Sequence, residues 1–271
     1  MKFSILMAVY AGDDSKLFEK ALRSVLENSL VPSEIVLVVD GPIPDEIRDT
    51  IEKVADWKFK IVYCEKNLGL ASALNIGLKY VSCEWVVRMD SDDVCSLDRF
   101  AQLSAYFCSG FDVVGSFSIE LNEAGVPSFV KEVPQSDREI RRFCRLRNPM
   151  NHNTVAFRLE AVQRCGGYPN LYLKEDYGLW ITMLASGAVF INLPEILVFA
   201  NGGDALYKRR SGVKYIRSEY YLQKHMLRAG FKSFPRCITD FILRSVAFSF
   251  PTPAKKMLYE LVLRKKFTRA C

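Results

Sequence analysis

Three acids close a short apolar run in the stretch Trp85-Val86-Val87-Arg88-Met89-Asp90-Ser91-Asp92-Asp93. Such a run reads as a buried strand whose carboxyl end delivers acids to an accessible edge, where open α/β sheets bind ligands. Carboxylates this close repel one another unless cations or water compensate them. A hard divalent cation does so through oxygen ligands. Mg²⁺ characteristically takes one or two protein carboxylates plus substrate phosphates, which an Asp-Ser-Asp spacing serves. The triplet suits a solvated acidic turn capping a helix that opens at Ser96 equally well, and alone it leaves both readings open.

The elements that must position these acids follow from the hydrophobic pattern. Phe3 to Tyr10 reads as a buried strand, after which Leu17, Ala21, Leu22, Val25 and Leu26 share one helical face. Glu34 to Asp40 is a second buried strand ending in Asp40-Gly41-Pro42, and a charged helix follows to about Trp57. Phe59 to Tyr63 is a third strand. Leu70, Ala71, Leu74, Leu78 and Val81 form a helical stripe, and Glu84 to Met89 is the fourth strand. Strands spaced by helices imply right-handed crossovers and a doubly wound, mainly parallel sheet of the α/β class. Their carboxyl ends share one edge, which brings Asp40 to Asp90 and Asp92.

Beyond Gly115 the alternation weakens. Ser136 to Leu146 is a basic helix broken by Asn148-Pro149. Thr154 to Phe157 reads as a strand, Leu159 to Cys165 and Glu175 to Ser186 as helices, and Val189 to Asn192 and Ile196 to Ala200 as two short strands.

The 271 residues fit one large α/β domain with an appendage, and 49% hydrophobic residues supply an ample core. No apolar stretch reaches the roughly 18 residues of a spanning helix. The apolar start suits a first strand better than a signal sequence. Eight scattered cysteines without a C-x-x-C pair read as reduced thiols of a cytoplasmic protein, and no zinc site is indicated. Net charge is +6, unevenly spread. Residues 205–271 hold 16 Lys/Arg against 3 Asp/Glu, while the first 204 hold 21 against 28. An acidic body with a basic tail suggests attraction to anionic lipid, nucleic acid or phosphate-bearing substrates.

Several motifs occur in a telling order: Met7-Ala8-Val9-Tyr10, Val39-Asp40-Gly41, Asn67-x-Gly69-x-Ala71-x-x-x-Asn75-x-Gly77, Met89-Asp90-Ser91-Asp92-Asp93, Gly166-Gly167-Tyr168, and Glu175-Asp176-Tyr177-x-Leu179-Trp180. In this order, over roughly residues 3 to 200, the chain resembles the family 2 glycosyltransferases with the GT-A fold found in bacterial O-antigen, capsule and exopolysaccharide assembly. Asp40-Gly41-Pro42 departs from the family's usual Asp-Asp/Asn-Gly-Ser, which touches the loop beside the nucleotide. The resemblance implies a catalytic domain over 1–204, with a nucleotide part to about 116 and an acceptor part over about 117–204, followed by a basic helical region over 205–271.

It also implies roles. Ala8, Tyr10, Asp40, Asn67, Gly69, Asn75, Arg88 and Asp90 would contact a UDP-sugar. Asp40 would accept from the uracil N–H; its alternative role is a helix cap. Asp92, with Asp90, would hold Mn²⁺ or Mg²⁺ on the diphosphate, and Arg88 would pair with these acids or with the phosphates. Asp176 would be the general base of an inverting transfer, taking the proton of the acceptor hydroxyl as it attacks the anomeric carbon. Glu175 could exchange roles with it, or serve only the helix dipole. His152 and Trp180 would face the acceptor or the leaving diphosphate, and Arg209 and Arg210 would close over the donor.

The tail from Arg236 carries two amphipathic segments. Ile238, Phe241, Ile242, Leu243, Val246, Phe248 and Phe250 supply the apolar face of the first. Thr252-Pro253 opens the second, which holds Lys255, Lys256, Arg264, Lys265 and Lys266. They suit an anionic membrane surface, packing on the enzyme's own core, or a dimer contact. All the motifs precede Pro235, so the sheet and both acid sites are expected to form without the residues beyond it. Together these features imply a metal-dependent hexosyltransferase acting on a polyprenyl-diphosphate-linked saccharide at the inner face of the cytoplasmic membrane. A soluble acceptor is the alternative. A nucleotidyltransferase would need a glycine- and arginine-rich loop after the first strand, where Ala11-Gly12-Asp13-Asp14 stands instead. A non-catalytic binder would be expected to lack Asp92 or Asp176. No nucleic acid partner is expected, because the tail's aromatic residues follow helical spacing.

Overall fold

The computed structural model describes residues 2–122, 124–202, 212–249 and 265–266. The apolar strand Phe3–Val9 (β1) pairs in parallel with Glu34–Val39 (β2), which pairs in parallel with Phe59–Tyr63 (β3). Trp85–Arg88 (β4) joins β1 on its other side, also in parallel. The order is therefore β3-β2-β1-β4. The chain steps outward twice and then returns to the far side of β1. That return is a topological switch point, where connections at the carboxyl ends of β1 and β4 diverge and leave room for a ligand.

Both faces of this half-sheet are covered. Helices Ser15–Leu26 (α1), Asp45–Val54 (α2), Leu70–Gly77 (α3) and Arg99–Ser104 (α4) belong to the first hundred residues and their continuation. Asp137–Cys144 (α5), Leu159–Arg164 (α6) and Glu175–Ala185 (α7) follow. Successive side chains of a strand point to opposite faces. Ile5, Met7, Ile35 and Leu37 accordingly pack with residues of α1, α2 and α4, whereas Leu6 and Val36 share a second core with α3, α5, α6 and α7.

The other half of the sheet is mixed. It contains Val94–Cys95 (β5), Val113–Leu121 (β6), Pro127–Lys131 (β7), Ala156–Arg158 (β8) and Phe190–Asn201 (β9). β8 runs antiparallel between β4 and β6, and β6 pairs in parallel with β9. Two expectations change here. The segments Val189 to Asn192 and Ile196 to Ala200 are one strand, not two. Pro194 and Glu195 are absorbed where the register slips between Leu193 opposite Ser116 and Ile196 opposite Phe117, since a proline cannot donate to the ladder. The helix expected from Ser96 starts at Arg99, because Val94 and Cys95 pair with Phe199 and Val198 and the Ser96 N–H reaches the Leu197 carbonyl at 3.0 Å.

Gly212–Arg228 (α8) and Phe234–Ser249 (α9) pack on one another and on the body. Leu222 and Met226 of α8 lie in the same core as Leu6 and Trp180, so a boundary at residue 204 does not separate two cores. Asp240 of α9 pairs with the buried Lys232 at 2.8 Å, and Arg244 reaches Glu219 of α8 at 3.4 Å. Ending the chain at Pro235 would thus strip buried charges of their partners, contrary to the expected independence of the tail. The second tail segment lies outside the described residues except for Lys265–Lys266 (β10), a two-residue strand antiparallel to β7 rather than helix.

Candidate active site at the carboxyl ends of the strands

Asp40 directly follows β2 and is buried. Its carboxylate accepts from the backbone N–H groups of Leu68 at 2.7 Å and Gly69 at 2.9 Å, and Asn67 Nδ2 donates to the Asp40 carbonyl at 3.3 Å. Gly41, at φ 92, lies so close to this loop that a Cβ would fall 2.6 Å from Asn67 N. The loop is thereby stapled to the strand end. Asp40 does not cap the helix that follows it, whose N-cap is Pro44; its carboxylate instead holds the two residues that precede α3. Asn67 and Gly69 are exposed, and Gly69, at φ 84 with open space beside it, leaves its backbone approachable. Ala8 is half-buried near the end of β1, and the exposed Tyr10 ring lies against Gly12. Asn75 is a correction. Its side chain accepts from Tyr168 N and donates to Tyr168 O, both at 2.8 Å, so it ties α3 to the Gly-Gly-Tyr turn instead of facing a ligand.

Across the switch point stand the acids. Arg88, the last residue of β4, is 1% exposed and pairs with Asp90 through Nη2, while its Nε and Nη1 have no protein partner. Burial would raise the Asp90 carboxyl, but Arg88 outweighs it and holds the group below the usual range. Ser91 donates to Asp13 at 2.9 Å, which ties the loop after β1 to the acidic turn. Burial raises the Asp13 carboxyl. Asp92 is half-buried, next to the fully sequestered Asp93. Burial, then the charges of Asp90 and Asp92, push Asp93 up to about 8. Asp93 therefore holds a proton near neutral pH, and the neighbouring charges that help to raise it are what a hard cation would offset. Among the described residues no three acid, histidine or cysteine side chains form a closed cage. Asp92 and Asp90 are the carboxylates that would hold Mg²⁺ or Mn²⁺ there, a class of cation that takes one or two protein carboxylates together with substrate phosphates.

The second acid pair opens α7. Asp176 Oδ2 accepts from Asn148 Nδ2 at 2.6 Å, which orients its carboxylate. Glu175 beside it is pushed up to about 7, by burial first and then by Asp176. Leu173, just before, is the non-glycine residue with a left-handed backbone among those described, at φ 55. Such strain costs on the order of 1–3 kcal/mol and collects at functional sites. Lys174 follows it and pairs with Glu219 of α8 at 2.8 Å, with both side chains buried.

His152 feels charges from both acid groups. Its Nε2 lies 3.0 Å from Tyr168 Oη. Burial and then Arg88 push it down to about 4, against the opposing pull of Asp176 and Asp90, so the ring is neutral at physiological pH. Trp180 is a further correction. It is fully buried, edge-on to Phe190 and to His152 with ring centroids 5.9 and 6.2 Å away, and it backs the His152 ring without reaching an acceptor. Arg209 and Arg210 lie outside the described residues.

Several site residues were missed in the sequence. Arg99 is buried and donates to the carbonyls of Arg88 at 2.7 Å and Asn153 at 2.8 Å, joining the end of β4 to the His152 segment. Asn153 donates to Asp93. Asn148 read only as part of a helix-breaking Asn-Pro pair. A basic residue six positions after an acidic motif was a weak signal for Arg99, while nothing local pointed from Asn148 to Asp176.

A parallel half-sheet with acids gathered at its switch point, and a second acid pair at the start of α7, defines a glycosyltransferase of the GT-A type. Comparison with known proteins agrees. Residues 4–165 match the family described as Glycosyl transferase family 2. The chain is 34% identical over 274 residues to the Escherichia coli UDP-Gal:alpha-D-GlcNAc-diphosphoundecaprenol beta-1,3-galactosyltransferase, covering 97% of each chain. It is 35% identical over 261 residues to the amylovoran biosynthesis glycosyltransferase AmsE of Erwinia amylovora, covering 95% of this chain and 98% of that one. The crystal structure of S. aureus TarS in complex with UDP-GlcNAc superposes with a TM-score of 0.69 at 18% identity, over 97% of this chain and 76% of that one. The chain belongs to glycosyl transferase family 2.

Proposed function

We propose that the enzyme moves a hexose from a UDP-sugar, with inversion, to a saccharide carried on a polyprenyl diphosphate, at the inner face of the cytoplasmic membrane during surface-polysaccharide assembly. What supports the catalytic part is that Asn148 orients the Asp176 carboxylate at 2.6 Å while Arg88 holds Asp90, and that the charges of both acids, remote in sequence, reach the His152 ring. In this reading the acid cluster of the donor side and the acid pair of α7 would serve one site. The substrate classes are those in the description of the Escherichia coli relative.

In this reading Asp40 and the exposed backbone of Asn67-Leu68-Gly69 receive the nucleoside. Arg88, whose Nε and Nη1 have no protein partner, would in this reading donate to the diphosphate. Asp92 and Asp90 would hold a divalent cation, which when bound neutralises charge on the departing diphosphate. Asp176, oriented by Asn148, accepts the proton of the attacking hydroxyl. Neutral His152 can share hydrogen bonds with the acceptor but does not act as a cation.

One observation favours Glu175 as the base instead. A carboxyl pushed up to about 7 is matched to proton transfer near neutral pH. Purified enzyme should be incubated with a panel of sugar nucleotides, with and without Mn²⁺, and a synthetic diphosphate-lipid saccharide. Transfer from one UDP-sugar, abolished by chelation, is the expected result. Transfer only to soluble sugars, or undiminished after chelation, would overturn the acceptor or the metal assignment respectively.

A further inference from the structure

The pair α8 and α9 presents two unlike faces. Toward the body, the Tyr215 and Phe248 rings meet edge-on at 4.7 Å, and Lys174 lies 4.3 Å from the Tyr215 ring. On the outer side of α9, Phe234, Ile238, Ile242 and Val246 recur every fourth residue and so line one stripe, with Leu243 beside it. These five are between 42% and 68% exposed. The exposed Tyr220 and Tyr221 of α8 border it through Phe241: the Tyr220 ring meets Phe241, next to Ile242 on α9, at 6.1 Å and Tyr221 at 5.5 Å. An amphipathic helix normally turns such a stripe inward. A continuous exposed one marks an interaction surface.

Charge selects the partner. Residues 212–249 contain two acids, Glu219 and Asp240, and both are buried in ion pairs. Lys214, Arg217, Lys224, Arg228 and Arg236 are exposed. Among the described residues, the outer surface of this helical pair thus offers cations and apolar groups with no exposed acid. Ordinary solvated surfaces intersperse both signs. A second copy docked through the same patch would set these cations against one another. An anionic bilayer instead accepts the apolar stripe at its acyl boundary, tyrosines at headgroup level, and lysines and arginines at its phosphates.

We propose that the Phe234–Val246 stripe of α9, bordered by Tyr220 and Tyr221, is the surface through which this enzyme docks on an anionic phospholipid bilayer. The inference rests on the membrane-face reading above and narrows it from the whole basic tail to one helix face. It also gives that face a link to catalysis, because Glu219 on α8 holds Lys174, the residue before the acids of α7.

The test is co-sedimentation of the full chain with vesicles of phosphatidylcholine alone and of an equimolar mixture with phosphatidylglycerol. Wild type should sediment with the mixed vesicles, and added salt should weaken this. The double variant Ile242→Glu/Leu243→Glu, at exposed positions, should reduce the apparent partition by about tenfold or more. Its thermal transition and its transfer to a water-soluble acceptor analogue should stay at wild-type levels. A second variant, Lys224→Glu/Arg228→Glu, should weaken binding to mixed vesicles without changing folding, which keeps the test sound if the first fails to fold. Vesicle binding unchanged in both variants would overturn the proposal. So would wild type that ignores vesicles but forms an oligomer dissolved by Ile242→Glu/Leu243→Glu, since the stripe would then be a subunit interface. Vesicle binding is read without turnover, so an enzyme that binds vesicles but transfers no sugar would refute the proposed function alone.

Discussion

Lys174 and Glu219 form a buried ion pair, Nζ to Oε2 at 2.8 Å, between the residue that precedes the acids of α7 and the middle of α8. Gln223 donates to Glu219 at 2.6 Å and Arg244 approaches from α9, so one carboxylate gathers partners from three helices. Burial would raise the Glu219 carboxyl, but Lys174 and Arg244 outweigh it and hold the group below its ordinary value. The α8–α9 pair is therefore part of the scaffold that fixes where Glu175 and Asp176 point.

Lys174→Met should destabilise the fold by about 3 to 5 kcal/mol, because it leaves a buried carboxylate short of its main partner. Urea unfolding measures this, and Lys174→Met/Glu219→Leu should recover most of the loss. The sign with pH follows from the lowered Glu219 value. Its contribution is present above the unfolded-state value and is lost as pH falls through the folded one, so the gap between wild type and Lys174→Met should shrink on acidification.

Asp176→Asn should preserve UDP affinity while turnover falls by about a hundredfold or more, since only proton removal is lost. Glu175→Gln separates the two candidate bases. If Glu175 is the base, the rate should rise with pH through about 7 in wild type, and this limb should vanish in the variant. Stability gives an independent check. A carboxyl raised from 4.5 to about 7 makes folding less favourable as pH climbs between those values, so Glu175→Gln should gain stability relative to wild type over that window and hold the gain above it.

Asp92→Ala should abolish Mn²⁺-dependent binding of UDP while leaving the thermal transition near wild type. Isothermal calorimetry with and without the cation reads it directly. Unchanged metal-dependent binding would remove Asp92 from the cation site.

Gly41→Ala should weaken UDP binding and cost about 1 to 3 kcal/mol of stability, because it forces a side chain into left-handed backbone. The new methyl would also meet Asn67 N at 2.6 Å, so the loop that Asp40 staples must shift. Calorimetric affinity and a denaturant midpoint together test both effects.

The parallel half-sheet and the placement of Asp40, Asp90 and Asp92 were legible in the sequence, because period and punctuation are local properties of a chain. A buried strand reads as an apolar run, and an acid after it must lie at a strand end. The ordered motifs extended this to the family and to Glu175 and Asp176. What the sequence could not determine is which polar side chains spend their hydrogen bonds on the protein itself. Asn75 looked like a ligand contact and instead spans to Tyr168; Trp180 looked accessible and is walled in behind His152. Asn148 looked like punctuation and orients Asp176. The tail's apolar residues likewise could not be sorted into inward and outward sets until α9 packed on α8. Such pairings depend on contacts between segments far apart in the chain, and only the folded arrangement decides which partner each buried polar group meets.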